Sequence, residues 1–149
     1  MLKITKGEFE INGGLFSLPD NVYIDNVREL EGADAIRIAP IGENIYIEIA
    51  GHEEDESSKE SFLNDELFEE CAWHSEVLPI TSGGLSGHYT LYEYNRENYC
   101  EYRYDLEGDT DENTMLLVVV CSWDKKVSPE GLKNHPVVVQ LIESIHRAK

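Results

Sequence analysis

Apolar and polar residues alternate in EFEI (8–11), the period-two signature of a half-buried strand, and LFSL (15–18) reads as a second short strand. Between them Asn12-Gly13-Gly14 supplies the positive φ angles that a tight hairpin turn requires. Pro19-Asp20-Asn21 then breaks the run, and VYI adds one short extended piece. A second hairpin can be tested by register. Pairing Ala39 with Asn44 across PIGE sets Ile38 opposite Ile45 and Ile36 opposite Ile47. All four isoleucines then share one face, with Arg37 and Tyr46 on the other. A slip of one residue would turn an apolar set to the wrong side.

The period changes after the acidic run HEEDESSKE. Ser57 and Glu60 have capping-box spacing. Leu63, Leu67 and Cys71 recur every fourth residue, with Phe68 and Ala72 beside them, which predicts a helix of about four turns. It ends before Pro79, where LPITS becomes extended. A third hairpin follows if Tyr94 pairs with Tyr99 across NREN. Cys100, Tyr102, Tyr104 and Leu106 then share a core face with Tyr89, Leu91 and Glu93. The opposite face sets Thr90 across from Arg103, Tyr92 across from Glu101 and His88 across from Asp105. The run Met115–Cys121 is apolar at every position and rich in valine, so it predicts a strand in mid-sheet with cover on both sides. Pro136 opens a last helix in which Val138, Leu141, Ile142 and Ile145 share a face, and His146, Arg147 and Lys149 suit its C-terminal dipole.

Hairpin, hairpin, helix, antiparallel strands and helix make an α+β fold: one antiparallel β-sheet flanked by helices, in a single domain over 1–149. LFSLPDNVYID, GLSGHYTLYEY and the long apolar strand followed by VVVQLIESIH resemble, in order, elements of the PsbP-like fold. That family is named for an extrinsic photosystem protein and includes a nuclear-import factor that binds a GTPase. The resemblance implies an α/β/α sandwich whose members mostly bind or chaperone other proteins.

Charge narrows the choice of partner. Thirty acids against twelve bases leave a net charge of −18. Such a field repels nucleic-acid phosphates and anionic lipid headgroups, so neither nucleic acid nor membrane is expected, and a basic protein is. Homo-oligomerisation is left open. The three cysteines, Cys71, Cys100 and Cys121, form no disulfide framework or zinc motif and fall on expected core faces. The N-terminal residues have no apolar h-region, and no run reaches the ~20 apolar residues of a membrane span. The expected compartment is the cytoplasm.

The candidate chemistry is sparse. Ser86 in GGLSGH approaches the nucleophile elbow G-x-S-x-G, but position 88 is histidine and a strand follows it. Gly83 and Gly84 read as a flexible lead into that strand. His88 opposite Asp105 could orient an imidazole for acid–base work, the basis of an alternative reading as a small hydrolase. Glu107, Asp109, Asp111 and Glu112, or the run Glu53–Glu56, could take calcium weakly, although neither matches an EF-hand. No cofactor is called for. The remaining feature is an aromatic sheet face with Tyr92, Tyr94, Tyr99, Thr90, Arg103 and Glu101, residue types that dominate protein interfaces. The sequence thus points to a non-enzymatic, acidic protein-binding module of immunity or chaperone-like character, with that face as its binding site if no helix covers it.

Overall fold

The computed structural model describes residues 2–5, 7–11, 13–30, 33–53, 55–106 and 114–148. Among the described residues, twelve strands and three short α-helices follow one another as β1 (Leu2–Thr5), β2 (Glu8–Ile11), β3 (Gly14–Ser17), β4 (Val22–Leu30), β5 (Ala33–Pro40), β6 (Ile45–His52), α1 (Glu56–Leu63), β7 (Trp73–His74), β8 (Leu78–Ser82), β9 (Leu85–Tyr94), β10 (Glu97–Asp105), β11 (Met115–Ser122), α2 (Pro129–Lys133), α3 (Pro136–Ser144) and β12 (His146–Arg147). The fold is α+β and its sheets are antiparallel. The large sheet runs β4-β5-β6-β11-β10-β9-β7, with β8 also paired to β9, and a smaller sheet runs β1-β2-β3-β12.

The apolar run of β11 lies in mid-sheet as its composition demands, between β10 and β6. Its Leu116, Val118 and Val120 join Ile36, Ile38, Ile45, Ile47, Ile49, Cys100, Tyr102 and Tyr104 on one face. Phe9, Ile11 and Phe16 of the small sheet and Leu132, Val138 and Leu141 of α2 and α3 cover that face. Leu117 and Val119, on the reverse side of β11, are only half-buried, so cover is complete on one side alone.

Both tested hairpins are shifted by two residues from the expected pairing. Ile38 faces Ile47 and Ile36 faces Ile49, because the turn occupies Ile41–Asn44 beyond Pro40. Tyr99 faces Tyr92, Glu101 faces Thr90 and Arg103 faces His88. Here the chain reverses in two residues, Asn95 and Arg96, at φ 51° and 65°, the left-handed pair of a type I′ turn. A shift of two keeps every side chain on its predicted face.

The first helix departs further from expectation. Its N-cap is Asp55, whose carboxylate accepts from Ser58 N–H at 2.7 Å, two residues ahead of the Ser57 capping box. It stops at Leu63, because Asp65 takes φ 62°, a left-handed conformation that Asp tolerates better than most residues. A 3₁₀ turn, Glu66–Phe68, follows. Leu63 and Leu67, expected in the core, are 39% and 48% exposed. At the other end, His146 and Arg147 leave α3 and form β12 against Leu15 and Gly14.

Gly83 and Gly84 form a tight turn, with φ 52° and 88°, joining Ser82 to Leu85 across the β8–β9 ladder. They form a closed corner between two paired strands, where the sequence by itself predicts a lead into one strand. Arg147 N–H donates to the Gly83 carbonyl at 2.9 Å, so β12 ties the small sheet to this corner. Further along β9, a Cβ on Gly87 would stand 2.1 Å from the Arg103 carbonyl oxygen, and backbone cannot yield as a side-chain tip can. Gly87→Ala is therefore expected to lower stability by about 1–3 kcal/mol or more, as overpacking does. Exposed Ser86→Ala should stay within about 0.5 kcal/mol. Urea unfolding of the two variants checks the contrast.

Candidate functional site

The sheet face turned away from the aliphatic core carries a continuous row of aromatic and charged groups. Tyr92 and Tyr99 stack with centroids 4.8 Å apart and planes at 12°. Farther along, Tyr46 stacks on Trp123 at 5.8 Å, and the Arg37 guanidinium sits 4.3 Å from the Tyr46 ring while reaching Glu48 at 3.1 Å. The Tyr99 hydroxyl donates to Glu97, whose same oxygen accepts from the Cys121 thiol at 3.6 Å. Side chains two apart along a strand share a face, and so the alternation in β9, β10 and β6 writes this row directly.

Helix α1 and its 3₁₀ extension cover part of the row. Phe62 lies under the Arg103 guanidinium at 4.2 Å, and Phe68 tilts against Tyr92 at 4.9 Å. Beneath them, Glu101 is 6% exposed. Its carboxylate accepts from the Tyr92 hydroxyl at 2.9 Å and from Arg103 Nε at 2.8 Å. Thr90 is fully buried and donates to the Ser75 carbonyl at 3.2 Å. Between the 3₁₀ turn and the strands a cavity of about 340 Å³ remains, lined by Leu67, Phe68, Glu70, Cys71, Tyr92, Tyr94, Glu101 and Arg103. Leu67 and Tyr94, 48% and 46% exposed, form its apolar rim.

Of the six residues singled out from the sequence, Tyr92, Tyr94, Glu101 and Arg103 thus meet at one cavity. Tyr99 backs it through the stack, and Thr90 is sealed below. The cover comes from the first helix; α2 and α3 pack on the opposite face. Leu67, Phe68, Glu70 and Cys71 were not recognised as site residues, because a continuous helix would have sent Leu67 and Cys71 into the core. The signal against it was Asn64-Asp65, a pair suited to ending a helix.

The cavity groups hold their protons. Burial, and then the carboxylates of Glu101 and Glu70, push the Cys71 thiol up. Burial also raises the Tyr92 phenol, reinforced by the charge and hydrogen bond of Glu101. Tyr99 is raised by burial and by its bond to Glu97. In the aliphatic core, Tyr104 is pushed up to about 12 and Cys121, nearer the polar row, to about 11, burial leading in both. A thiol that keeps its proton is a poor nucleophile.

The other candidates fall apart or lie elsewhere. His88 faces Arg103 and Pro79 across its two ladders, and Asp105 is engaged by Lys59 at 3.0 Å, so the two are not the opposed pair that the earlier register set. Ser86 is exposed on β9, two residues past the Gly83-Gly84 corner. The loop with Glu107, Asp109, Asp111 and Glu112 lies outside the described residues, as does Glu54 in the run Glu53–Glu56; Asp55 of that run is the α1 cap. Among the described residues, no three His, Cys, Asp or Glu side chains gather as a metal site, and no helix is long and apolar enough to cross a membrane.

Two outcomes follow from these contacts. Glu101→Ala takes the carboxylate away from a mostly buried guanidinium and a phenol, and breaking such a pair costs about 3–5 kcal/mol. Glu101→Gln, which keeps an acceptor in place, should cost clearly less in the same urea titration. Because its pKa is raised, Cys71 carries less thiolate at any given pH. Its alkylation by iodoacetamide should therefore reach half-maximal rate above the ordinary ~8.5 of a free thiol, as read by peptide mass spectrometry across a pH series.

No family model and no curated protein matches the chain. Among solved structures it is similar to a protein from Bacteroides thetaiotaomicron VPI-5482 known from a crystal structure, at 11% identity and a TM-score of 0.47. The match covers 92% of this chain and 46% of that one, so the chain spans under half the length of its structural neighbour.

Proposed function

We propose that the chain is a non-enzymatic protein-binding module that receives a basic partner on its polar–aromatic face and seats one long side chain of that partner in the cavity beside Tyr94. The observation that carries this reading is the cavity itself. Its volume of about 340 Å³ lies at the low end of the roughly 300 to 1,000 Å³ of small-molecule sites, room enough for one long amino-acid side chain. Its walls join aromatic rings to carboxylates, the environment in which a Lys or Arg side chain gains both cation–π and ionic contacts. The Cys71 thiol and the Tyr92 phenol keep their protons, which favours binding over nucleophilic chemistry.

Long-range charge supports the same partner. The stretch of sequence leading up to the cavity residues Leu67, Phe68 and Glu70, residues 53–70, carries nine carboxylates and one lysine. A basic surface approaching it is steered before contact, and steering weakens as salt shortens the Debye length to about 8 Å at physiological strength. The order helix α1, large sheet, then α2 and α3 supports reading the fold as PsbP-like, in keeping with a binding or chaperoning role.

The experiment is capture of partners from native lysate by the tagged full chain, at low and high salt, with Leu67→Ala/Tyr94→Ala as the comparison. Both rim residues are exposed, so the double variant should melt as the parent does. A basic protein that is retained at low salt, released at high salt and lost with the double variant supports the module and places its face. Retention indifferent to both salt and variant would sink the proposal.

A further inference from the structure

Strand β4 ends the large sheet and, among the described residues, pairs with β5 alone. Across that ladder Ile24 faces Ile38 and Val27 faces Ile36. Both partners are fully buried in the aliphatic core, yet Ile24 and Val27 are 47% and 50% exposed. The core-side face therefore runs one strand beyond the layer that covers it. Ile41, 67% exposed in the turn after β5, lengthens this ledge, and Tyr23 is 50% exposed on the reverse face. A nine-residue strand at a sheet edge also offers a row of outward backbone donors and acceptors to any chain that can lie beside it.

The edge is guarded, and the guard has one sign. The register shifts at Asp25, between Ile24 and Asn26, a bulge of the kind that blunts edges. The charged residues among 20–27 are Asp20 and Asp25, and both are exposed. Two copies joined β4 to β4 would set like charges against each other, which is destabilising in a sheet. The same charges draw in a basic strand. Exposed ledge, free ladder and acidic flank together select an occupant with apolar residues on one side and cations on the other.

We infer that β4 is a strand-addition site for an extended basic segment of a partner protein, in which Lys or Arg alternates with β-branched residues. The backbone of that segment continues the ladder beyond β4. Its apolar side chains cover Ile24 and Val27, and its cations meet the acidic flank. Main-chain bonds supply affinity and the alternation supplies selectivity, as in other strand-addition complexes. The inference rests on the protein-binding reading above but assigns a different surface.

The probe is a capped nine-residue peptide, matched to the length of β4, alternating Lys and Val. The control is a block peptide of the same composition with its lysines first. Binding to the full chain is followed by backbone amide spectra and hydrogen exchange. The alternating peptide should bind at least about tenfold more tightly than the block peptide, a difference of about 1.4 kcal/mol, and should protect amides within 22–30. Val27→Lys and Ile24→Lys, each checked for an unchanged melt, should both abolish that protection. Equal binding of the two peptides overturns the inference, because charge alone would then explain it. Protection of 22–30 that rises with protein concentration without peptide also overturns it and assigns the edge to a second copy. Shifts confined to Tyr94 and Leu67 overturn the edge but leave the cavity reading standing. Absence of any shift refutes the edge, while lysate capture judges the module separately.

Discussion

A carboxylate cannot lie beneath a protein surface without donors to replace its water. Glu101 is 6% exposed and has two, the Tyr92 hydroxyl and Arg103 Nε. Its burial costs several kcal/mol before pairing, so the position of everything above it is constrained. Arg103 must lie flat along the sheet to reach Glu101, and that leaves its guanidinium face open to Phe62. Tyr92 must hold its hydroxyl inward, and that presents its ring to Phe68. One unbroken helix could not supply both rings. Six residues at 100° each would point them about 120° apart. The left-handed Asp65 solves this by ending α1 and re-aiming the chain. The cavity is the space left beside that break.

How much of this could be read in the sequence depends on the range of the interaction concerned. Which side of each strand faces the core was legible, because alternation is local: Ile36, Ile38, Cys100, Tyr102 and Tyr104 are buried together as their parity requires. Register was not, since a shift of two leaves every face unchanged and only the turn distinguishes the choices. Asn95-Arg96 needed two left-handed residues, one of them arginine, which propensity disfavours. The length of α1 was misjudged because the spacing of Leu63, Leu67 and Cys71 imitates an apolar stripe, whereas the tertiary demand of Phe62 and Phe68 decided the matter. Strand β12 was hidden for a similar reason. His146-Arg147 suits a helix end, but packing against Gly14 and the Gly83 corner draws it into the sheet.

The two faces of the large sheet divide the work between them. The aliphatic side is covered by the small sheet, α2 and α3 from β5 to β9, and its branched side chains there are buried, as close-packed interiors require. That side has little room to adapt. The reverse side is a row of rings and ion pairs; over β9 and β10 its cover is two helical turns and a 3₁₀ segment, and Trp123 stacks on Tyr46 of β6. Elements with so few buried contacts open locally at low cost. A partner arriving there can displace or reshape the cover without touching the core. On the proposed reading recognition would fall on this side, where Tyr94 and Leu67 are exposed.

The acidic edge at β4 and the cavity at β9 and β10 stand toward opposite ends of the large sheet. Five ladder steps separate β4 from β9, and at about 4.8 Å per step the span is roughly 24 Å. An added strand runs along β4, perpendicular to that span, so the segment that occupies the edge does not itself reach the cavity. A single partner using both surfaces must present two separate elements, an extended basic segment and a projecting basic side chain. Joined in one molecule, the second contact forms at an effective concentration set by the link between them. Two weak contacts then make one selective complex, and a basic peptide that offers only one of them is bound briefly. On the proposed reading, acidity distributed over both ends would act as a geometric filter for the partner instead of serving solubility alone.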